Sequence, residues 1–247
     1  MRKILLHCGL HKTGSTWLQV DVFPHWDGIE YLGKDAIREE SLSQEDSKPL
    51  VISNESLAGY PYPITNGFDI SVISGNIKKY KATHVLVVER EFFSWCLSIY
   101  MQTINEGHFW SLDEFLDKNK NIISWRDCVE EISRECERMN VEFLSIGFED
   151  LRKDAQKAIN KISIFLDVST LVAPVSARNS SRYGIFYINS FRLLNYLFRG
   201  RVRHKLGIRP MMQRNWVGGV LDSISIKKLS SSVVEDYFER LNLKGVR

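Results

Sequence analysis

One junction constrains this chain more than any other segment: a short apolar strand that runs straight into a glycine-containing loop opening a helix. Lys3-Ile-Leu-Leu-His-Cys8 reads as a buried strand. Gly9-Leu-His-Lys12-Thr13-Gly14-Ser15-Thr16-Trp17-Leu18 follows, with a helix predicted from about Ser15 to Phe23. A loop of this kind presents backbone N–H groups that have no partner within the helix, and these favour an anion. Gly14 lets the backbone come close to such a ligand.

The rest of the chain repeats the alternation. Leu50–Ser53 reads as a second strand, and the Pro-, Tyr- and Gly-rich stretch from Gly59 to Gly67 as a loop. A helix capped by Asp69 is predicted to Tyr80. Thr83–Val88 is β-branched, continuously apolar and the clearest strand. Helices are predicted over about Phe92–Ile104, Ser124–Met139 and Asp154–Leu166, and a strand over Val141–Ile146. Strands alternating with helices predict an α/β fold, a central, mainly parallel sheet flanked by helices. Ligands in such sheets bind beyond the strand ends. The chemistry is therefore expected at Gly9–Trp17, Asn54–Leu57 and Glu89–Ser98. We read residues 1–247 as one domain with a basic helical extension from about residue 178.

Composition narrows the class further. The apolar share of 44% and charged share of 26% are those of an ordinary globular chain. No stretch approaches the roughly 20 apolar residues that span a bilayer. The first strand is too short for a signal-peptide core, so a cytoplasmic protein is expected. Cys8, Cys96, Cys128 and Cys136 form no C-x-x-C pair, and Cys8 and Cys96 read as buried thiols in a reducing compartment. His7, inside the first strand, reads as a core residue.

A nucleoside-triphosphatase loop follows G-x-x-x-x-G-K-[ST]. Gly9 and Gly14 have that spacing and Thr16 supplies the last hydroxyl, but Ser15 stands where the lysine belongs. No acidic partner for Mg²⁺ is evident at a strand end. The segment instead resembles the 5′-phosphosulfate loop of sulfotransferases, P-K-[ST]-G-[ST]-[ST]-W-L, with His11 in place of the proline. The resemblance implies that Lys12, Thr13, Gly14, Ser15 and Thr16 hold the phosphosulfate end of 3′-phosphoadenosine-5′-phosphosulfate, and that Trp17 stacks on adenine. It implies no metal.

Two further segments carry the resemblance to about Leu166. Arg90, Ser98 and Tyr100 have the spacing of the family's 3′-phosphate motif, R-[DN]-P-x-x-x-x-x-S-x-Y, with Phe92 in place of the proline. Arg90 would fork onto the 3′-phosphate and Ser98 would add a hydroxyl. Gly147-Phe148-Glu149-Asp150-Leu151 is similar to the family's Y-E-D-L segment. Phe148 would stand where a tyrosine packs near adenine, or it fills the core; both readings remain open. Arg178-Asn-Ser-Ser181 reads as a turn or a further nucleotide contact.

Sulfuryl transfer to an acceptor hydroxyl or amine needs in-line geometry, charge stabilisation at the leaving phosphate, and often a base for the acceptor's proton. The resemblance gives the leaving oxygen to Lys12. For the base, Glu55 is similar to the glutamate of the family's carbohydrate-modifying branch, which points to a glycan or glycolipid acceptor. His11 beside Lys12, and His108 after the third helix, are the other candidates. Glu55 also reads as a residue that satisfies a helix start.

Between Asp167 and Asp222 the chain has no acidic residue, while Arg199, Arg201, Arg203 and Lys205 cluster after an amphipathic stretch beginning at Tyr183. This reads as a docked helix with a solvated basic end, or as a surface for an anionic glycan or for anionic lipid at the inner membrane face. No nucleic-acid motif accompanies the charge. A P-loop nucleotide kinase and a non-catalytic module for polyanions or membranes are the alternative functions. A small-molecule acceptor is the alternative substrate.

Overall fold

The computed structural model describes residues 2–33, 48–59, 67–174, 185–198 and 230–244. The basic cluster Arg199–Lys205, Arg178–Ser181 and most of the predicted loop between Gly59 and Gly67 lie outside the described residues. The chain divides into two compact units, Met1–Arg90 with Asn121–Arg178, and Glu91–Lys120 with Asn179–Arg247.

The first unit holds a five-stranded, all-parallel sheet of β1 (Ile4–Gly9), β2 (Glu30–Leu32), β3 (Leu50–Ser53), β4 (His84–Glu89) and β5 (Glu142–Gly147). The spatial order is β2-β3-β1-β4-β5. The apolar runs of β1, β3 and β4 form the centre of this sheet because they are buried on both faces, and such a strand needs no polar alternation. Leu5 and His7 of β1, Val51 and Ser53 of β3, and Leu86 and Val88 of β4 share one face, since His7 pairs with Ser53 and with Leu86. There they meet Leu18, Val22, Phe23 and Trp26, with Ile159, Ile162 and Leu166 closing the core. The helix α2 (Ile70–Tyr80) packs on α5 (Cys128–Arg138), and α5 on β4 and β5.

Most boundaries agree with the sequence reading. Asp69 caps α2 by accepting from the Ser71 N–H, and Asp154 caps α7 (Ala155–Leu166) by accepting from the Lys157 N–H. Two helices differ. The segment predicted from Ser15 to Phe23 is α-helical only over α1 (Ser15–Trp17), then widens to a π turn over Leu18–Val22 and tightens to 3₁₀ over Phe23–His25. Pro24 explains the change: it has no N–H to donate, and its ring excludes an α turn on the carbonyl four residues back. The helix predicted from Ser124 begins at Cys128 instead. Lys120–Trp125 forms a 3₁₀ stretch that buries Ile122 and Trp125.

The second unit is helical among the described residues. Its helices are α3 (Phe92–Asn105), α4 (Leu112–Lys118), α8 (Ile185–Phe198) and α9 (Ser232–Lys244). Glu91 caps α3, accepting from the Phe93 and Ser94 N–H groups at 2.7 Å each. The Asn195 side chain of α8 donates to the carbonyls of Ile104 and His108 at 2.8 and 2.5 Å, tying α8 to the end of α3. In α9, Phe238 packs on Phe92 and Phe93 of α3. All four cysteines are buried thiols. Burial pushes the Cys128 and Cys136 thiols up to about 12. Among the described residues no helix is long and apolar enough to cross a membrane.

Candidate active site

The loop after β1 is built to hold an unusual backbone. Lys12 has φ 67° and Gly14 φ 85°, so two residues in three are left-handed. For glycine that conformation is easy, but for Lys12 it costs on the order of 1–2 kcal/mol. The surroundings hold it in place. The Arg90 guanidinium, just past β4, donates from Nη1 to the Lys12 carbonyl at 3.0 Å. Thr13, fully buried, donates its hydroxyl to the Leu10 carbonyl at 2.5 Å.

Ser15 packs beneath the loop. Its Oγ lies 3.4 Å from the Thr13 hydroxyl, and a Cβ added to Gly9 would stand only 2.0 Å from it. Gly9 is thus a glycine because the Ser15 hydroxyl occupies the place of its side chain. Thr16 is exposed, and Trp17 is half-buried against the core. Phe148 opens α6 (Phe148–Lys153), and the edge of its ring lies against Gly14, where an added Cβ would come within 3.2 Å of it. The Arg90 guanidinium sits over the same ring at 4.7 Å from its centroid, and that of Arg152 at 5.7 Å. Phe148 therefore buttresses both the loop and Arg90. The sequence reading missed this use of the ring.

Glu55 lies at the tip of a turn beyond β3. The Asn54 side chain fixes that turn by accepting from the Ser56 N–H and hydroxyl at 2.9 and 2.8 Å. Because β3 pairs in parallel with β1, this turn and the Lys12 loop emerge at the same end of the sheet. The Glu55 carboxylate meets His11 there, Oε2 to Nδ1 at 3.0 Å. Burial pushes the Glu55 carboxyl up. The hydrogen bond from His11 and the charges of His11, Lys12 and His7 outweigh that and hold it below the usual carboxylate range.

His7 is a core residue, as expected, but it also belongs to this end of the sheet. Its Nδ1 is 2.6 Å from the Ser53 hydroxyl, which also accepts from Gln19 Nε2 at 3.1 Å. Nε2 is buried with no hydrogen-bond partner among the described residues. Burial lowers the His7 pKa to about 4, against a smaller upward pull from Glu55, so the ring is neutral at pH 7.

The structure thus brings Lys12, Thr13, Gly14, Ser15, Arg90, Phe148, Glu55 and His11 together within the first unit. Ser98 belongs to the second unit, where it is buried on α3. So does His108, whose ring stacks on Trp110 at 4.3 Å and whose pKa is lowered by burial.

No family model matches the chain. No curated protein matches it either. Among solved structures, a sulfotransferase from Alicyclobacillus acidocaldarius is similar at 14% identity, covering 79% of this chain and 94% of that one, with a TM-score of 0.47. Mouse sulfotransferase SULT7A1 complexed with PAP is similar at 14% identity, covering 90% of this chain and 87% of that one, with a TM-score of 0.45.

Proposed function

We propose that the chain is a sulfotransferase that moves the sulfuryl group of 3′-phosphoadenosine-5′-phosphosulfate to a hydroxyl on a glycan or glycolipid. The observation that carries this reading is the hydrogen bond from Arg90 to the Lys12 carbonyl. It couples the loop that would hold the 5′-phosphosulfate to a cation just past β4 whose position suits a second phosphate on the same nucleotide. A triphosphatase loop has no use for that arrangement. It needs a lysine where this chain has Ser15, and the Ser15 hydroxyl is turned in against Gly9.

In the reaction the acceptor oxygen attacks sulfur in line with the bond to the 5′-phosphate. The S–O bond to that phosphate breaks, and its electron pair leaves with the bisphosphate. Lys12 stabilises the charge on the departing oxygen. Glu55 takes the acceptor's proton, Trp17 stacks on adenine, and Phe148 supports the loop and Arg90 beside it. Lys12→Ala is expected to lower transfer of labelled sulfate roughly 10²-fold or more, as loss of a charged transition-state contact does. Turnover near that of the wild type would remove Lys12 from the chemistry and the function with it.

A further inference from the structure

The pair formed by His11 and Glu55 says more than either residue alone. A carboxylate can only accept hydrogen bonds, so the contact of 3.0 Å to Glu55 Oε2 requires a proton on His11 Nδ1. The bond therefore has a direction, and it engages one of the two carboxylate oxygens. The His11 side chain is the more buried partner at 12% exposed, against 31% for Glu55. The carboxylate is thus the more accessible of the two to an incoming hydroxyl, and the imidazole is its more buried partner. At this position the resembled family has proline, which has no side-chain donor.

We infer that His11 is a positioning residue, whose Nδ1–H locks the Glu55 carboxylate by one oxygen so that the other faces the acceptor hydroxyl. The inference rests on the sulfotransferase reading for the identity of that hydroxyl. During transfer the acceptor O–H breaks, its oxygen bonds to sulfur, and the proton arrives on Glu55 Oε1. Throughout, His11 keeps its own proton on Nδ1. Glu55 also feels the charge of Lys12, which shares the loop of His11, and that of His7 on β1 once that ring is protonated, near pH 4. His11 supplies the hydrogen bond, and removing it must let the carboxyl rise toward its ordinary value. An acidic limb of the pH–rate profile set by Glu55 would move to higher pH.

The test uses the full chain in three forms, wild type, His11→Ala and His11→Asn, the last keeping an N–H near the place of Nδ1. Carbon-13 NMR follows the Glu55 carboxyl through pH. In parallel, labelled sulfate is counted on pooled mono- and disaccharides and on water. The expected result is a carboxyl that titrates higher in His11→Ala, an acid limb that moves with it, and transfer reduced roughly 10²-fold, the scale of a misplaced catalytic group. His11→Asn should recover most of the rate. A Glu55 titration or acid limb unmoved by His11→Ala would overturn the role of His11, as would full activity of that variant. Failure of the wild type to bind adenosine 3′,5′-bisphosphate would instead overturn the sulfotransferase reading, and the NMR titration would still decide the pairing.

Discussion

His7 makes the stability of this fold depend on pH with a sign and a size that can be worked out. Its ring is fully buried on β1, and burial lowers its pKa from 6.5 to about 4. As pH falls through 6.5, the unfolded chain takes up a proton that the folded chain refuses. Stability is therefore complete above about pH 6.5, falls by about 1.4 kcal/mol per pH unit below it, and levels off near pH 4. The total is roughly 3 kcal/mol, of which about 2 is lost between pH 6.5 and 5. This is a large part of the 5–15 kcal/mol that holds a typical domain together. The comparison variant is His7→Asn, which does not titrate. Its smaller side chain leaves a cavity whose cost is independent of pH, so the wild type should be the more stable at pH 7. Urea melts at pH 7, 6 and 5 should show the wild type losing that advantage by about 2 kcal/mol as pH drops. A difference between the two proteins that stays constant over this range would refute the argument. So would a His7 imidazole titrating near 6.5 by NMR.

Two further outcomes follow from the packing of the loop. Gly9→Ala forces a Cβ to within 2.0 Å of the Ser15 hydroxyl and 2.6 Å of its Cβ, and should destabilise the chain by about 1–3 kcal/mol in thermal melts. Ser15→Gly in the same chain removes both opposing atoms, so the double variant should recover part of that loss. Phe148→Ala removes the ring beneath Arg90. Without this cation–π contact, worth about 0.5–2 kcal/mol, Arg90 must be re-ordered when the nucleotide binds, so binding of adenosine 3′,5′-bisphosphate should weaken by up to roughly 30-fold in calorimetry.

The strands were the most legible part of the chain. Leu50–Ser53 and the apolar runs at Ile4 and His84 stand out because a central parallel strand covered on both faces is apolar nearly throughout, while the edge strand from Glu142, only partly buried, still shows an apolar stretch at Phe143–Ile146. Glu30-Tyr31-Leu32 carries no such run, and three residues at the edge of a sheet cannot display a period. The helix Leu112–Lys118 was missed although Ser111 and Glu114 announce it with a capping box that the structure forms on both sides. The spacing of Lys12 and Arg90 was visible in the sequence, but the hydrogen bond between them was not, because it depends on how two loops 78 residues apart turn at the sheet's end. The pairing of His11 with Glu55 was hidden for the same reason. In the sequence the two stand as rival bases, and only the parallel pairing of β1 with β3 sets their two loops side by side.

The central claim is that Arg90 and the Lys12 loop hold a nucleotide with phosphates at both ends of its ribose. The measurement closest to it is calorimetry of the wild type with adenosine 3′,5′-bisphosphate and with 5′-AMP, in the presence of a chelator. A charge-assisted contact to the 3′-phosphate is worth about 1.5–3 kcal/mol, so the bisphosphate should bind roughly 10- to 10²-fold more tightly, and Arg90→Ala should erase that difference. Equal affinity of the wild type for the two nucleotides would contradict the account.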